Sequence, residues 1–136
     1  MQTNDEGENM TIRKINPDTI AAPGGSYTHG IAVTATETLY ISGQVGVDAN
    51  GVIPPDLAAQ SELCWRNLVE ILKAADMAVE NLVKVTVFLK EGVDFATVAA
   101  ARGRYFGDHR PTSTVVFVSG LVKPEWLVEV EAIAHR

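Results

Sequence analysis

The stretch from Arg110 to Arg136, RPTSTVVFVSGLVKPEWLVEVEAIAHR, constrains this chain more than any other part of it. Two apolar, β-branched runs, Ser113–Val118 and Leu127–Ala134, flank a break that holds Gly120, Lys123 and Pro124. That pattern predicts two strands joined by a turn. Side chains alternate along the second run. Val128, Val130, Ala132 and Ala134 share one face, and Leu127, Glu129, Glu131 and Ile133 share the other. The first face is wholly apolar and belongs in a core. The second sets two carboxylates inside an otherwise hydrophobic strand, where an unpaired buried charge is costly. Glu129 and Glu131 therefore need water, a partner or a task. One of them could act as a base, or position a water, at a subunit boundary. A partly wet face, or pairing with arginines, is the alternative for both.

The rest of the chain supplies the elements this pair packs with. Residues 1–10 are polar and acidic and read as a disordered tail, leaving 11–136 as one domain. Thr11–Ile15 alternates like a short edge strand. Pro17, Pro23, Gly24 and Gly25 then make a loop. Tyr27–Thr34 and Thr38–Ser42 look like an antiparallel hairpin. A second loop, with Gly43, Asn50-Gly51 and Pro54-Pro55, ends at Asp56, a fitting helix N-cap. From there Leu57, Ser61, Cys64, Trp65, Leu68, Leu72 and Ala75 fall at three- and four-residue spacing, which predicts an amphipathic helix over 57–75. Leu82–Leu89 is a strand with Val83, Val85, Val87 and Leu89 on one face. Asp94 caps a second helix, in which Phe95, Val98, Arg102 and Phe106 share a side.

The order β, β, β, α, β, α, β, β favours crossovers that return to one mixed sheet, with both helices on one face. The opposite face then still carries residues such as Tyr40, Phe88, Phe117 and Leu127. An open apolar sheet of that extent calls for a partner, and self-association is the simplest cover.

Composition limits what the chain can be. At 136 residues it can bury a real core, and net charge −6 argues against broad attraction to nucleic acid. One cysteine, Cys64, rules out an internal disulfide and a cysteine-based metal site, and suits a reducing, cytoplasmic setting. No apolar run approaches the ~20 residues of a transmembrane helix, so no membrane partner is expected.

Few residues invite chemistry. Tyr27 follows Gly24-Gly25-Ser26 and could aim its hydroxyl at a ligand; packing at a strand start is the simpler reading. Gly43, between Ser42 and Gln44, would let a ligand or a neighbouring backbone come close, or is a plain turn. Ser113 and Thr114 place hydroxyls near Arg110, the last of a small basic group with Arg102 and Arg104. His29, His109 and His135 are scattered, so neither a hydrolase triad nor a metal site is indicated. Cys64 lies on the apolar helix face and reads as a small buried hydrophobe.

Taken together, APGGSYTHGI, LYISGQVGVD, AAQSELCWRNLVEILKAA, NLVKVTVFLKEGVDFATV and LVEVEAIAHR resemble the RidA/YjgF family of reactive-intermediate deaminases. The resemblance spans about Thr11 to Arg136. It implies a chorismate-mutase-like α+β fold and a homotrimer with a small-molecule pocket in each cleft between subunits. It implies hydrolysis of enamines or imines to a 2-oxo acid and ammonia, without metal or cofactor. Tyr27 and Glu129 match the family's pocket tyrosine and its water-positioning glutamate. The family's substrate-carboxylate arginine falls on Ser113, its frequent cysteine on Val115 and its pocket asparagine on Ala99. A guanidinium fork holds a carboxylate in a way that a serine hydroxyl cannot.

The sequence therefore points to a trimer of the arginine-lacking kind, with a small-molecule pocket between subunits. Glu129 is the candidate catalytic group; Tyr27, Gly43, Ser113, Thr114 and Arg110 are candidate binding residues. Hydrolysis of the usual amino-acid-derived imines should be weak or absent. A non-enzymatic metabolite-binding or regulatory protein is the second reading. A ribonuclease or translation inhibitor, disfavoured by the acidic charge, is the third.

Overall fold

A computed structural model describes residues 10–136. The tail expected over residues 1–10 therefore lies, up to Asn9, outside the described residues.

Strand β1 (Thr11–Ile15) pairs antiparallel with β2 (Gly30–Thr34), as a two-stranded ladder of their own. The hairpin expected between Tyr27 and Ser42 does not form. Arg136 is the reason the chain turns away after β2: its backbone exchanges hydrogen bonds with Glu37, and its carbonyl also accepts from Thr36 N–H. These bonds hand β3 (Thr38–Val45) to the C-terminal strand instead. The main sheet has four strands in the order β3-β6-β4-β5, with β4 spanning Leu82–Lys90, β5 Thr112–Val118 and β6 Val128–His135. The two strands of the organising stretch are thus not neighbours. Strand β4 lies between them, parallel to β5 and antiparallel to β6. A crossover through helix α2 (Phe95–Phe106) makes β4 and β5 parallel, as the α/β alternation predicts.

Helix α1 (Leu57–Ala74) begins where Asp56 accepts a hydrogen bond from Ala59 N–H at 3.0 Å, as its N-cap role requires. Asp94 precedes α2, but its carboxylate accepts from the Thr97 hydroxyl at 2.9 Å rather than from a backbone N–H. Both helices cover one face of the four-stranded sheet. The core between them holds Cys64, Trp65, Leu68 and Leu72 from α1 and Val98, Ala101 and Phe106 from α2. The sheet adds Val85, Val87, Leu89 and the whole predicted inner face of β6, Val128, Val130, Ala132 and Ala134. The fold is α+β, two helices on one side of a mixed sheet, as expected.

The opposite sheet face has no helix. Tyr40 stands on it, 76% exposed. Phe117, expected on this face, pairs instead with the buried Leu89, so it shares the helix side of the edge strand with Ser113 and Val115 and is exposed there because the strand lies at the sheet edge. Register settles which residues face which way. Val85 pairs with Ser113, and Val87 with Val115, so Ser113 and Val115 point toward the helices. Phe88 pairs with Glu129 and Thr86 with Glu131, so both glutamates look away from them.

Candidate functional site

The glycine loop before β2 reaches the sheet by way of Thr28. Its N–H donates to Pro111 O at 3.1 Å and its hydroxyl to Arg110 O at 2.5 Å, and Thr28 is buried. The loop is thereby tied to the start of β5. Within it, Tyr27 stands edge-on to His29 with ring centroids 5.7 Å apart, and the Tyr27 hydroxyl accepts from Gly24 N–H at 3.3 Å. A tyrosine hydroxyl can accept and donate together, so its own O–H remains for another group.

Between this loop, α2 and the helix-side face of β4 and β5 lies a cavity of about 470 Å³. Tyr27, Ser113, Ala99 and Val115 all line it, with Trp65, Val87, Phe95 and Val98 making most of the wall apolar. The cavity also holds a group that reading for motifs left unassigned. Arg102, on the buried side of α2, is only 8% exposed. Its Nη1 donates to Ser113 Oγ at 2.8 Å and its Nη2 to Ser26 O at 3.1 Å. The guanidinium carbon stands 5.0 Å from the Phe106 ring centroid and 5.9 Å from that of Trp65. Burial, and then the charge of Arg110, push the Arg102 pKa down to about 10, which still leaves it charged at neutral pH. In the sequence Arg102 is one of the core-side residues of α2 and a member of the small basic group with Arg104 and Arg110. Helical spacing put it on the inner face, and a charge at an inner position was the signal available.

The remaining candidates lie elsewhere. Arg110 turns back onto its own chain, donating from Nη1 to Gly107 O at 2.9 Å, and does not line the cavity. Thr114 points to the open sheet face, where its hydroxyl accepts from Lys84 Nζ at 2.7 Å. Glu129 and Gly43 are also on that face, and they meet. Strand β3 does not end at Ser42 but runs on to Val45 across a bulge, where Ser42 and Gly43 together stand opposite Glu131. A Cβ on Gly43 would overlap Glu129 Oε2 and stand 2.8 Å from its Cδ. Glycine there is the condition for Glu129 to lie along the strand. The Glu129 carboxyl is half-buried, makes no salt bridge among the described residues, and has its pKa raised by desolvation and then by Glu131. Among the described residues it is the carboxyl that the fold shifts toward its protonated form.

The candidate residues therefore form two half-sites on opposite faces of one sheet. One joins Tyr27, Arg102 and Ser113 around an apolar cavity; the other joins Gly43 and Glu129 on the open face.

Sequence and structure comparisons bear on what such a pair is for. The family model described as Endoribonuclease L-PSP matches residues 19–136. The 2-iminobutanoate/2-iminopropanoate deaminase of Bos taurus is 39% identical over 125 residues, 90% of this chain and 90% of that protein. A RutC family protein of Pyrococcus horikoshii is 35% identical over 116 residues, covering 84% of this chain and 90% of the relative. Among solved structures, a Rid-family protein of unknown function from Yersinia pestis superposes with a TM-score of 0.82 at 30% identity, covering 92% of this chain and 98% of that one. TdcF from E. coli with bound serine superposes at 0.68 and 34% identity, covering 82% and 89%. The chain belongs to the RidA/YjgF family. No helix among the described residues is long and apolar enough to cross a membrane.

Proposed function

We propose that this protein hydrolyses the C=N bond of small imines, or of their enamine tautomers, at a site completed between copies of the chain. The observation that carries this reading is the Glu129 carboxyl beside Gly43. It is half-buried, without a salt-bridge partner among the described residues, and has its pKa raised by desolvation and then by Glu131, which favours a carboxyl that can hold and pass a proton. In this scheme water adds to the imine carbon while its proton passes to nitrogen through Glu129. The carbinolamine then collapses to a ketone or 2-oxo acid and ammonia. Several relatives carry a name for this reaction on 2-iminobutanoate and 2-iminopropanoate, at 36–39% identity.

The two half-sites give the assembly its part. One chain holds Glu129 and the Arg102 cavity on opposite faces of its sheet, so only a second copy can bring one chain's carboxyl to another's cavity. The uncovered apolar face around Tyr40 is the surface for that contact, and a homotrimer closes it on three equivalent sides. A second reading, a metabolite-binding protein without turnover, draws support from the apolar cavity wall at Ala99 and Val115.

The test generates a 2-imino acid in situ and follows ammonia release or the loss of a trapped imine adduct. Wild type should accelerate hydrolysis above the buffer rate, Glu129→Gln should lose roughly 10²–10⁴-fold, and light scattering should give three times the chain mass. No acceleration by a trimeric wild type would favour the binding reading, and a monomer at micromolar concentration would remove the shared site.

A further inference from the structure

We propose that Arg102, delivered from helix α2 rather than from strand β5, is the anion anchor of the cavity, and that the cavity takes a small monocarboxylate with an apolar tail. A guanidinium has five N–H donors. Two are committed, to Ser113 Oγ and Ser26 O, and Nε is buried without a partner. That leaves one uncommitted N–H on each Nη, the pair that a carboxylate accepts side by side. No Asp or Glu among the described residues reaches Arg102, although the chain carries net charge −6. An arginine that is almost fully buried and lacks a counter-ion is a costly arrangement. It sits instead on the wall of a cavity of about 470 Å³.

Ser113 has a part in this. Its short side chain leaves room on β5 for a guanidinium arriving from the helix, and its hydroxyl fixes one Nη. The ion pair is therefore available from another element at the place where the strand itself offers only a neutral group. The remaining wall sets the other half of the ligand. Trp65, Val87, Phe95, Val98, Ala99 and Val115 offer no charge and only the indole N–H as a polar atom, and that N–H is buried without a partner. A second charged or strongly polar group on the ligand would be desolvated there without compensation.

A structural clasp, with Arg102 merely joining α2, β5 and the glycine loop, predicts different behaviour. The proposal deepens the hydrolytic reading, since the carboxylate would be that of the imino acid, but it is tested by equilibrium binding alone. Titration calorimetry or ligand-observed NMR on the intact wild-type protein would compare 3-phenylpropanoate, its amide 3-phenylpropanamide, and propanoate. The carboxylate should bind roughly 10–100-fold tighter than the amide, the range expected for a charged hydrogen-bonded pair, and tighter than propanoate. Equal affinity for acid and amide overturns the anchor without any variant having to fold. Equal affinity for the two acids overturns the apolar-tail assignment.

Arg102→Lys keeps the charge and loses the fork, so most of the acid-over-amide preference should go while a native circular-dichroism spectrum remains. Arg104→Gln, which removes the same charge from an exposed pair with Glu62, should keep the preference; its loss there would assign the effect to net charge and overturn the proposal. Carboxylate binding without imine turnover sustains the anchor and sinks the hydrolytic reading. Turnover with no acid-over-amide preference does the reverse.

Discussion

On the helix-covered face of the four-stranded sheet, Val85, Val87, Leu89, Val128 and Val130 are sealed against α1 and α2. On the open face the residues between them in sequence, Lys84, Thr86, Phe88, Glu129 and Glu131, are half-buried or exposed. Both faces share the same backbone ladder, so the difference lies in the side chains and in what covers them. The covered face is a close-packed apolar layer, opened where Val87 borders the cavity. The open face carries charges that form no salt bridge among the described residues, and one of them, Glu129, is held beside a bulge. Stability is concentrated on one face and unsatisfied chemistry on the other. The cavity around Arg102 breaks this rule, because there a charge has been brought into the covered side.

Substitutions on the two faces should therefore differ in kind. The largest effect belongs to Leu68→Ala, at a fully buried position of α1. Loss of a core leucine costs about 2–5 kcal/mol, and the denaturation midpoint should fall accordingly at matched protein concentration. A change near zero would mean the helix-side core is not what holds the fold.

Two glycines, Gly43 within β3 and Gly46 just past its end, sharpen the contrast. A Cβ at Gly46 would stand 2.5 Å from Gln60 Cβ and 2.6 Å from its Cα, so the helix backbone itself must move. Gly46→Ala should lose about 1–3 kcal/mol by overpacking. Gln60 is also fully buried, with Nε2 donating to Pro54 O and Glu125 O, and Oε1 accepting from Leu127 N–H, each at 2.9 Å. Displacing it loosens both loops that flank the sheet. At Gly43 the obstacle is only the mobile end of Glu129. Gly43→Ala should leave the denaturation midpoint within about 0.5 kcal/mol of wild type, while lowering imine turnover by at least about tenfold as the carboxyl is pushed aside. Equal loss of stability at the two positions would erase the distinction between the faces.

The alternation in β6 was legible from sequence because a strand's period of two separates its faces cleanly. So were both helices, the Asp56 cap and the buried Cys64. Strand pairing was not. Adjacent strands suggested hairpins for β2–β3 and β5–β6, whereas the partners come from far along the chain, through bonds such as those between Glu37 and Arg136. No local pattern encodes such a pairing. Of the candidate site, only single positions were legible. Motif alignment marked Tyr27, Ser113 and Glu129 as candidates, and the strand-end glycine pattern marked Gly43, but each such reading takes one position at a time. The alignment registered Ser113 as a loss and could not register that Arg102, one helix away in sequence, comes within 2.8 Å of the same hydroxyl. The buried Gln60 went unread as well, because a polar residue near a helix start looks like a solvated one.

The smallest expected effect is the most specific to the open face. The pKa of Glu129 is raised in the folded protein, by desolvation first and by Glu131 second. A raised carboxyl binds its proton more tightly folded than unfolded. Its favourable contribution is thus fully present below the unfolded value, ~4.3 for glutamate, and is lost as pH rises through the folded value. At neutral pH the ionised carboxylate is a mild burden on the fold. Glu129→Gln keeps the shape and removes the charge, so it should raise the melting temperature at pH 7, and the gain should shrink as pH falls toward ~4. Glu131→Gln, whose side chain is exposed, removes the neighbouring charge and should give a smaller gain by relieving Glu129. A variant less stable than wild type at pH 7 would show that the Glu129 charge is paired in the assembled protein. In that case the group facing it from the adjacent copy would be a cation, and the carboxyl would be a fastening between subunits rather than a base.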